Sequence, residues 1–379
     1  MVDFRVLGIS LPRRMRKKVF MYPGFTSMHR GVDQVLTAAE DVEIVYGLDG
    51  EDRWRRPRDA AEEQRMKDHA EGVLDAALPE LSAIYAAGPR RIDRATIAAA
   101  PRLEVLFMRG SGFEQVDLEA ATEHGVACVN SAGVNAGPVS DETVGLMLAA
   151  ALQIGFVDRF MHREKRWIFL ADLDEDGHSE GHYPGMVSGK TVGIVGFGFI
   201  GREVARKCRD GFRMRVLAFD PFFDAAEAER QGVELVDSLE EMLPQLDFLS
   251  MNIPLTPATR GLIGEEELRA LKKEAIVVNT GRGATLDTDA LVRALREGWI
   301  AGAGLDVTDP EPLPDGHPLF DLENVVLSPH ISGAADDTMR RLGEASANSA
   351  LRVLRRLPTH RVLNPEVLPG LAGRRGDAT

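Results

Sequence analysis

TVGIVGFGFIGREVARKCRDGFRMRVLAFDP, residues 191–221, decides the fold of this chain. Residues 192–195 are a short β-branched run fit for a buried parallel strand. Gly196, Gly198 and Gly201 follow as G-x-G-x-x-G, and from Arg202 the spacing becomes helical, with Val204, Ala205 and Cys208 on one face. Each glycine has its own task. The first permits a tight turn, the second lets backbone approach a pyrophosphate, and the third lets helix pack closely on strand. The helix N-terminus offers free N–H groups to the same anion. Residues 215–219 form the next strand, and Asp220 closes it about 20 residues on, where a ribose-binding acid belongs. A glycine turn by itself is common; strand, turn, helix, strand and acid in this order predict a dinucleotide site.

Working outward, 379 residues are enough for two domains with separate cores. A hydrophobic content of 44% and a charged content of 27% belong to an ordinary globular chain. The net charge of −14 argues against a nucleic-acid partner or an anionic membrane surface. The longest apolar stretch, residues 144–157, is interrupted by Gln153 and is too short to span a bilayer. The two cysteines, Cys128 and Cys208, form no disulfide framework or metal-ligand spacing, so a cytoplasmic location and no metal are expected.

Residues 1–17 show no period and read as a loose arm. Strand-like runs at 19–22, 42–46, 84–86, 105–108 and 126–129 alternate with helical stretches, as in a small parallel α/β unit. One long helix is expected over residues 141–162, followed by an exposed acidic loop at 171–184. After Asp220 the alternation resumes, giving six strands in a doubly wound sheet. Residues 340–357 form a closing helix that returns to the first unit, and residues 358–379 read as a tail rich in Pro and Arg.

Three titratable or charged residues follow successive strands of the second unit: Arg282 in VNTGRG, Glu311 in LDVTDPEPLP and His330 in LSPHISG. Open α/β sheets bind ligands at that edge. Arginine's planar fork suits a carboxylate, histidine trades protons near neutral pH, and a carboxylate on the far ring nitrogen fixes its tautomer. Singly, each is more simply a surface or turn residue; their joint placement points to proton and anion chemistry.

The motifs RGSGFEQVDLEAATEHGVACVN, GKTVGIVGFGFIG, NIPLTPATRGLIG, VNTGRGATLDTDAL, GLDVTDPEPLP and NVVLSPHISG stand in one order over residues 103–339. In them the chain resembles the D-isomer-specific 2-hydroxyacid dehydrogenase family, which includes phosphoglycerate dehydrogenase and glyoxylate/hydroxypyruvate reductases. The resemblance implies a catalytic trio at Arg282, Glu311 and His330. It implies cofactor contacts at Gly196, Gly198, Phe199, Ile200, Gly201, Asp220, Ile253, Thr280, Gly281, Asp306 and Gly333, with NAD as cofactor. Gly110, Ser111 and Gly112, with Arg282, match the substrate-carboxylate contacts. Ser140-Asp141 stands where the family commonly has Ala-Glu.

The expected architecture is therefore α/β with two doubly wound parallel sheets. A discontinuous flavodoxin-like substrate domain comprises residues 1–138 and 334–379, and a Rossmann NAD-binding domain residues 139–333. The expected function is hydride transfer between nicotinamide and a small D-2-hydroxy or 2-oxo acid of phosphoglycerate, glyoxylate or hydroxypyruvate type. A homodimer through the helix at 141–162 is implied as well. An NAD(H)-sensing protein resembling the family's corepressors is the competing expectation.

Overall fold

The computed structural model describes residues 16–24, 26–108, 110, 112–167, 185–335 and 337–373. The arm before residue 16 and the acidic loop at 171–184 lie outside the described residues. The chain divides into two compact units, one of residues 1–135 and 336–379, the other of residues 136–335.

In the first unit the order is β1 (Lys17–Met21), α1 (Ser27–Thr37), β2 (Val42–Tyr46), α2 (Ala60–Ala77), β3 (Ala83–Ala86), α3 (Arg94–Ala98), β4 (Val105–Met108), α4 (Leu118–Glu123) and β5 (Ala127–Val129). The sheet is wholly parallel, in the order β2-β1-β3-β4-β5, the flavodoxin-like winding. Successive side chains alternate between two cores, as the period of two requires. Val19, Tyr85, Phe107 and Val129 face α1, while Phe20, Ile84, Leu106 and Cys128 face α2, α3 and α4.

The second unit begins with α5 (Ala136–Ala151) and α6 (Ile154–Glu164). It continues through β6 (Thr191–Val195), α7 (Phe199–Phe212), β7 (Arg215–Phe219), α8 (Ala225–Arg230), β8 (Glu234–Leu235), α9 (Leu239–Met242), β9 (Phe248–Met251), α10 (Glu265–Ala270), β10 (Ile276–Asn279), α11 (Thr288–Arg296), β11 (Gly302–Leu305) and β12 (Val325–Leu327). Its parallel sheet runs β12-β11-β10-β9-β6-β7-β8, so the winding reverses between β6 and β9. That reversal is the point at which doubly wound sheets open a ligand crevice. The seventh strand, β8, is two residues long, too short to leave a periodic signal, which is why only six strands are legible in the sequence.

The single helix expected over residues 141–162 is two helices, bent by 60° between them. The cause is local. Gln153 takes left-handed backbone angles, with φ of 53°, and the Ala151 carbonyl accepts a hydrogen bond from the Gly185 N–H. No single helix among the described residues is long and apolar enough to cross a membrane, although this bent pair passes by length and composition.

The chain returns to the first unit through α12 (Thr338–Leu354), which packs beside α1. The approach is close enough that a Cβ on Gly343 would lie 2.0 Å from the Met28 carbonyl oxygen. The stretch read as a tail is ordered in part. Val362 bridges Val129 antiparallel, and the chain ends its described course in α13 (Leu368–Gly373). Asn364 anchors this return: its Oδ1 accepts from Cys128 N–H, and its Nδ2 donates to the Thr122 hydroxyl and the Val126 carbonyl.

Candidate active site

The glycine turn stands between β6 and α7. Gly196 has φ of +89°, and a Cβ there would meet Ile253 at 2.6 Å and the Asn252 carbonyl at 2.9 Å. The turn and the loop after β9 thus touch at the winding reversal. A Cβ on Gly201 would lie 2.1 Å from the Gly196 carbonyl oxygen, so helix and strand meet there without side chain between them. Around Gly198, by contrast, a Cβ would meet no atom within 4 Å. This turn is close-packed on the protein side and open on the other, which fits a pyrophosphate brought against backbone at the N-terminus of α7.

Asp220 closes β7. Its Oδ2 accepts from the Phe197 N–H at 2.9 Å and its Oδ1 from the Phe222 N–H at 3.0 Å. The acid is fixed to the glycine turn itself, with further lone pairs available to a ribose hydroxyl. Phe199 is 55% exposed, while Ile200 packs partly into the core below α7. The residues present therefore suit NAD.

Beyond β10 the chain turns through Thr280, Gly281 and Arg282. Gly281 is needed because a Cβ would lie 3.0 Å from the Ile253 carbonyl. The Arg282 carbonyl accepts from Asn279 Nδ2 and the Thr285 hydroxyl, and its guanidinium donates to the Gly281 carbonyl at 2.8 Å. The buried Thr280 hydroxyl lies 2.8 Å from that of Thr143 on α5. Thr143 is a supporting residue that the sequence does not advertise, since nothing in a helical stretch shows which hydroxyl faces a distant loop.

The loops after β11 and β12 bring Glu311 and His330 together: His330 Nδ1 lies 2.6 Å from Glu311 Oε1. Both side chains are nearly half exposed. His330 holds a left-handed backbone conformation, with φ of 54°, uncommon for a residue with a Cβ. Asp306, at the end of β11 and 1% exposed, stabilises that turn. Its carbonyl accepts from His330 N–H, and its carboxylate accepts from the Ser328 hydroxyl, Ile331 N–H and Ser332 N–H. Burial pushes this carboxyl up, but the hydrogen bonds from Ser328, Ser332 and Ile331 outweigh it and hold it below the usual carboxylate range. This bracing is absent from the sequence reading, which placed Asp306 among the cofactor contacts. The Ser-x-His-x-Ser spacing of residues 328–332 is its only trace in the sequence. Gly333 follows in the same loop, half-buried.

With a carboxylate on Nδ1, a neutral His330 carries its proton there and leaves Nε2 as the acceptor; the charged ring can donate from Nε2. Such a ring can pass one proton in either direction.

Gly110 lies beyond β4 in the first unit, with φ of +82°, and its carbonyl accepts from the backbone and hydroxyl of Ser131. Gly112 is half-buried nearby, whereas Arg109 and Ser111 lie outside the described residues.

Comparison with known proteins agrees with this geometry. The family described as D-isomer specific 2-hydroxyacid dehydrogenase, NAD binding domain, matches residues 144–332. Glyoxylate reductase of Korarchaeum cryptofilum is 40% identical over 278 residues, covering 73% of this chain and 81% of that protein. D-3-phosphoglycerate dehydrogenase of Methanocaldococcus jannaschii is 32% identical over 343 residues, 90% of this chain and 59% of that one. The solved glyoxylate reductase from Paecilomyes thermophila superposes with a TM-score of 0.73 at 26% identity, covering 93% and 99% of the two chains. Two parallel α/β sheets, a Rossmann winding with its glycine turn and acid, and these relatives together place the chain in the D-isomer specific 2-hydroxyacid dehydrogenase family, as an NAD-dependent oxidoreductase.

Proposed function

We propose that this chain interconverts small 2-oxo acids and D-2-hydroxy acids of phosphoglycerate, glyoxylate or hydroxypyruvate type. The observation that carries the reading is the 2.6 Å contact between His330 Nδ1 and Glu311 Oε1. Bound NADH supplies the hydride. His330, charged and held by Glu311, donates its Nε2 proton to the carbonyl oxygen of the oxo acid during reduction. In oxidation, the neutral ring takes the hydroxyl proton back. Arg282 and the backbone of residues 110–112 are assigned to the substrate carboxylate, for which a guanidinium fork and free N–H groups are suited.

NAD is assigned to Gly196, Gly198, Phe199, Ile200 and Gly201 at its pyrophosphate and to Asp220 at its ribose. Ile253, Thr280, Gly281, Asp306 and Gly333 are assigned to the remainder. The same reading pairs two copies through α5 and α6, where Leu152 and Ile154 are exposed. It also places the chain in the cytoplasm, in keeping with two buried, unpaired cysteines.

The test is NADH oxidation with glyoxylate, hydroxypyruvate, pyruvate and phosphohydroxypyruvate. Turnover with at least one is expected. Tight NADH binding without turnover of any 2-oxo acid would return the chain to the NAD(H)-sensing alternative, which its enzyme relatives do not favour.

A further inference from the structure

The Arg282 carbonyl oxygen is a crowded acceptor. It receives the Thr285 N–H at 3.2 Å, the Thr285 hydroxyl at 2.7 Å and Asn279 Nδ2 at 3.0 Å. A carbonyl has two lone pairs, so three donors on one oxygen exceed what closing a turn requires. The Thr285 N–H alone closes the 3-10 turn Gly283–Thr285. The other two donors come from side chains sealed in the interior, since Asn279 and Thr285 are both 0% exposed.

The surroundings of the turn are equally fixed. Asn279 ends β10, an interior strand, and its Oδ1 accepts from the Gly281 N–H at 3.0 Å, so one amide spans the loop. The Asn279 carbonyl accepts from the Asp306 N–H, and Asp306 in turn holds the His330 turn. On the other side, a Cβ on Gly283 would lie 1.9 Å from the carbonyl oxygen of Thr308, three residues before Glu311. The Ile263 N–H donates to the Thr285 carbonyl at 3.1 Å. The main chain of Arg282 cannot shift relative to the loops of Glu311 and His330 without breaking these contacts.

We propose that Thr285 is a positioning residue for substrate binding. Its hydroxyl, with the Asn279 amide, locks the Arg282 main chain and so sets where the guanidinium meets the substrate carboxylate. The inference rests on the reading above that Arg282 holds that carboxylate. A guanidinium hangs on a long side chain, and its two-pronged match to a carboxylate tolerates little displacement of the backbone that carries it. Folding alone does not call for the hydroxyl. With valine at position 285 the carbonyl would keep its other two donors, and no buried polar group would be stranded.

The experiment compares parent protein, Thr285→Val, Thr285→Ser, Arg282→Lys and the double variant Thr285→Val with Arg282→Lys. The readout is KM and kcat for whichever of glyoxylate, hydroxypyruvate, pyruvate and phosphohydroxypyruvate the parent reduces best, with the Kd of NADH beside them. Thr285→Val should raise KM roughly 3- to 10-fold, as loss of one neutral hydrogen bond predicts, with kcat and the Kd of NADH within about twofold. Thr285→Ser restores the hydroxyl and should return KM to the parent value. In Arg282→Lys the fork is already gone, so adding Thr285→Val should move KM little further. A rise of the same size in both backgrounds, no rise at all, or a serine variant as poor as the valine one would overturn the proposal while leaving the enzyme reading intact.

If the parent reduces no 2-oxo acid, that reading fails instead. Calorimetric titration of oxamate into the NADH-bound protein then makes the same comparison. Weaker binding in Thr285→Val, restored by serine and absent as a further loss in Arg282→Lys, supports the role of Thr285. Equal binding by parent and Thr285→Val, or no binding to the parent, overturns it.

Discussion

His330 Nδ1 and Glu311 Oε1 are 2.6 Å apart, although the two residues come from different loops, one after β11 and one after β12. Each loop is fixed before the pair forms its bond. Asp306 holds the His330 turn, and the Asp309 carbonyl, two residues before Glu311, accepts from the Thr288 hydroxyl at 2.8 Å.

Glu311→Gln keeps the shape and removes the charge beside the ring. Without that carboxylate the ring loses the partner on Nδ1 that orients it toward the reacting oxygen, so kcat for reduction should fall roughly 10- to 100-fold while NADH affinity is unchanged. An unchanged kcat in the variant would falsify the coupling of Glu311 to proton transfer.

Asp306→Asn should disturb the His330 turn, because an amide cannot accept along both of its arms. A loss of about 1–3 kcal/mol in stability is expected, with reduced kcat. The pH dependence has a definite sign. The folded carboxyl titrates below its unfolded value, so its stabilisation is present above the unfolded pKa of about 4 and disappears as pH falls through the folded value. The gap in melting temperature between parent and variant should therefore be widest at neutral pH and narrow in acid. A gap independent of pH would show that charge at Asp306 is not what holds the loop.

Asp220→Ala should relax the cofactor preference. A carboxylate at the ribose accepts from a free hydroxyl and repels a phosphate, so the parent should favour NADH. The ratio of kcat/KM for NADH over NADPH should fall roughly 10- to 100-fold in the variant. Since Asp220 also accepts from Phe197 and Phe222, NADH binding should weaken as well. Equal efficiency with both cofactors in the parent would refute the assignment.

Asn364→Leu tests the return of the chain to the first unit. Three hydrogen bonds vanish, and the Cys128 N–H and Val126 carbonyl are left in a buried place. About 2–4 kcal/mol of stability should be lost, read as a lower denaturation midpoint. Cofactor affinity measured below that transition should not change. A variant as stable as the parent would mean that residues 358–373 contribute little to the fold.

The sequence by itself determined that both units alternate strand and helix as parallel α/β folds and that the second carries a dinucleotide turn. Those depend on local signals: β-branched runs, glycines where a Cβ would strike backbone, and an acid one strand later. The positions of Arg282, Glu311 and His330 past strand ends were legible for the same reason. Only the tertiary structure decided what no local pattern encodes. The break at Gln153 depends on a hydrogen bond from Gly185, 34 residues after Ala151. The bracing of His330 by Asp306 and the anchoring of the chain's return by Asn364 join residues that are remote in sequence.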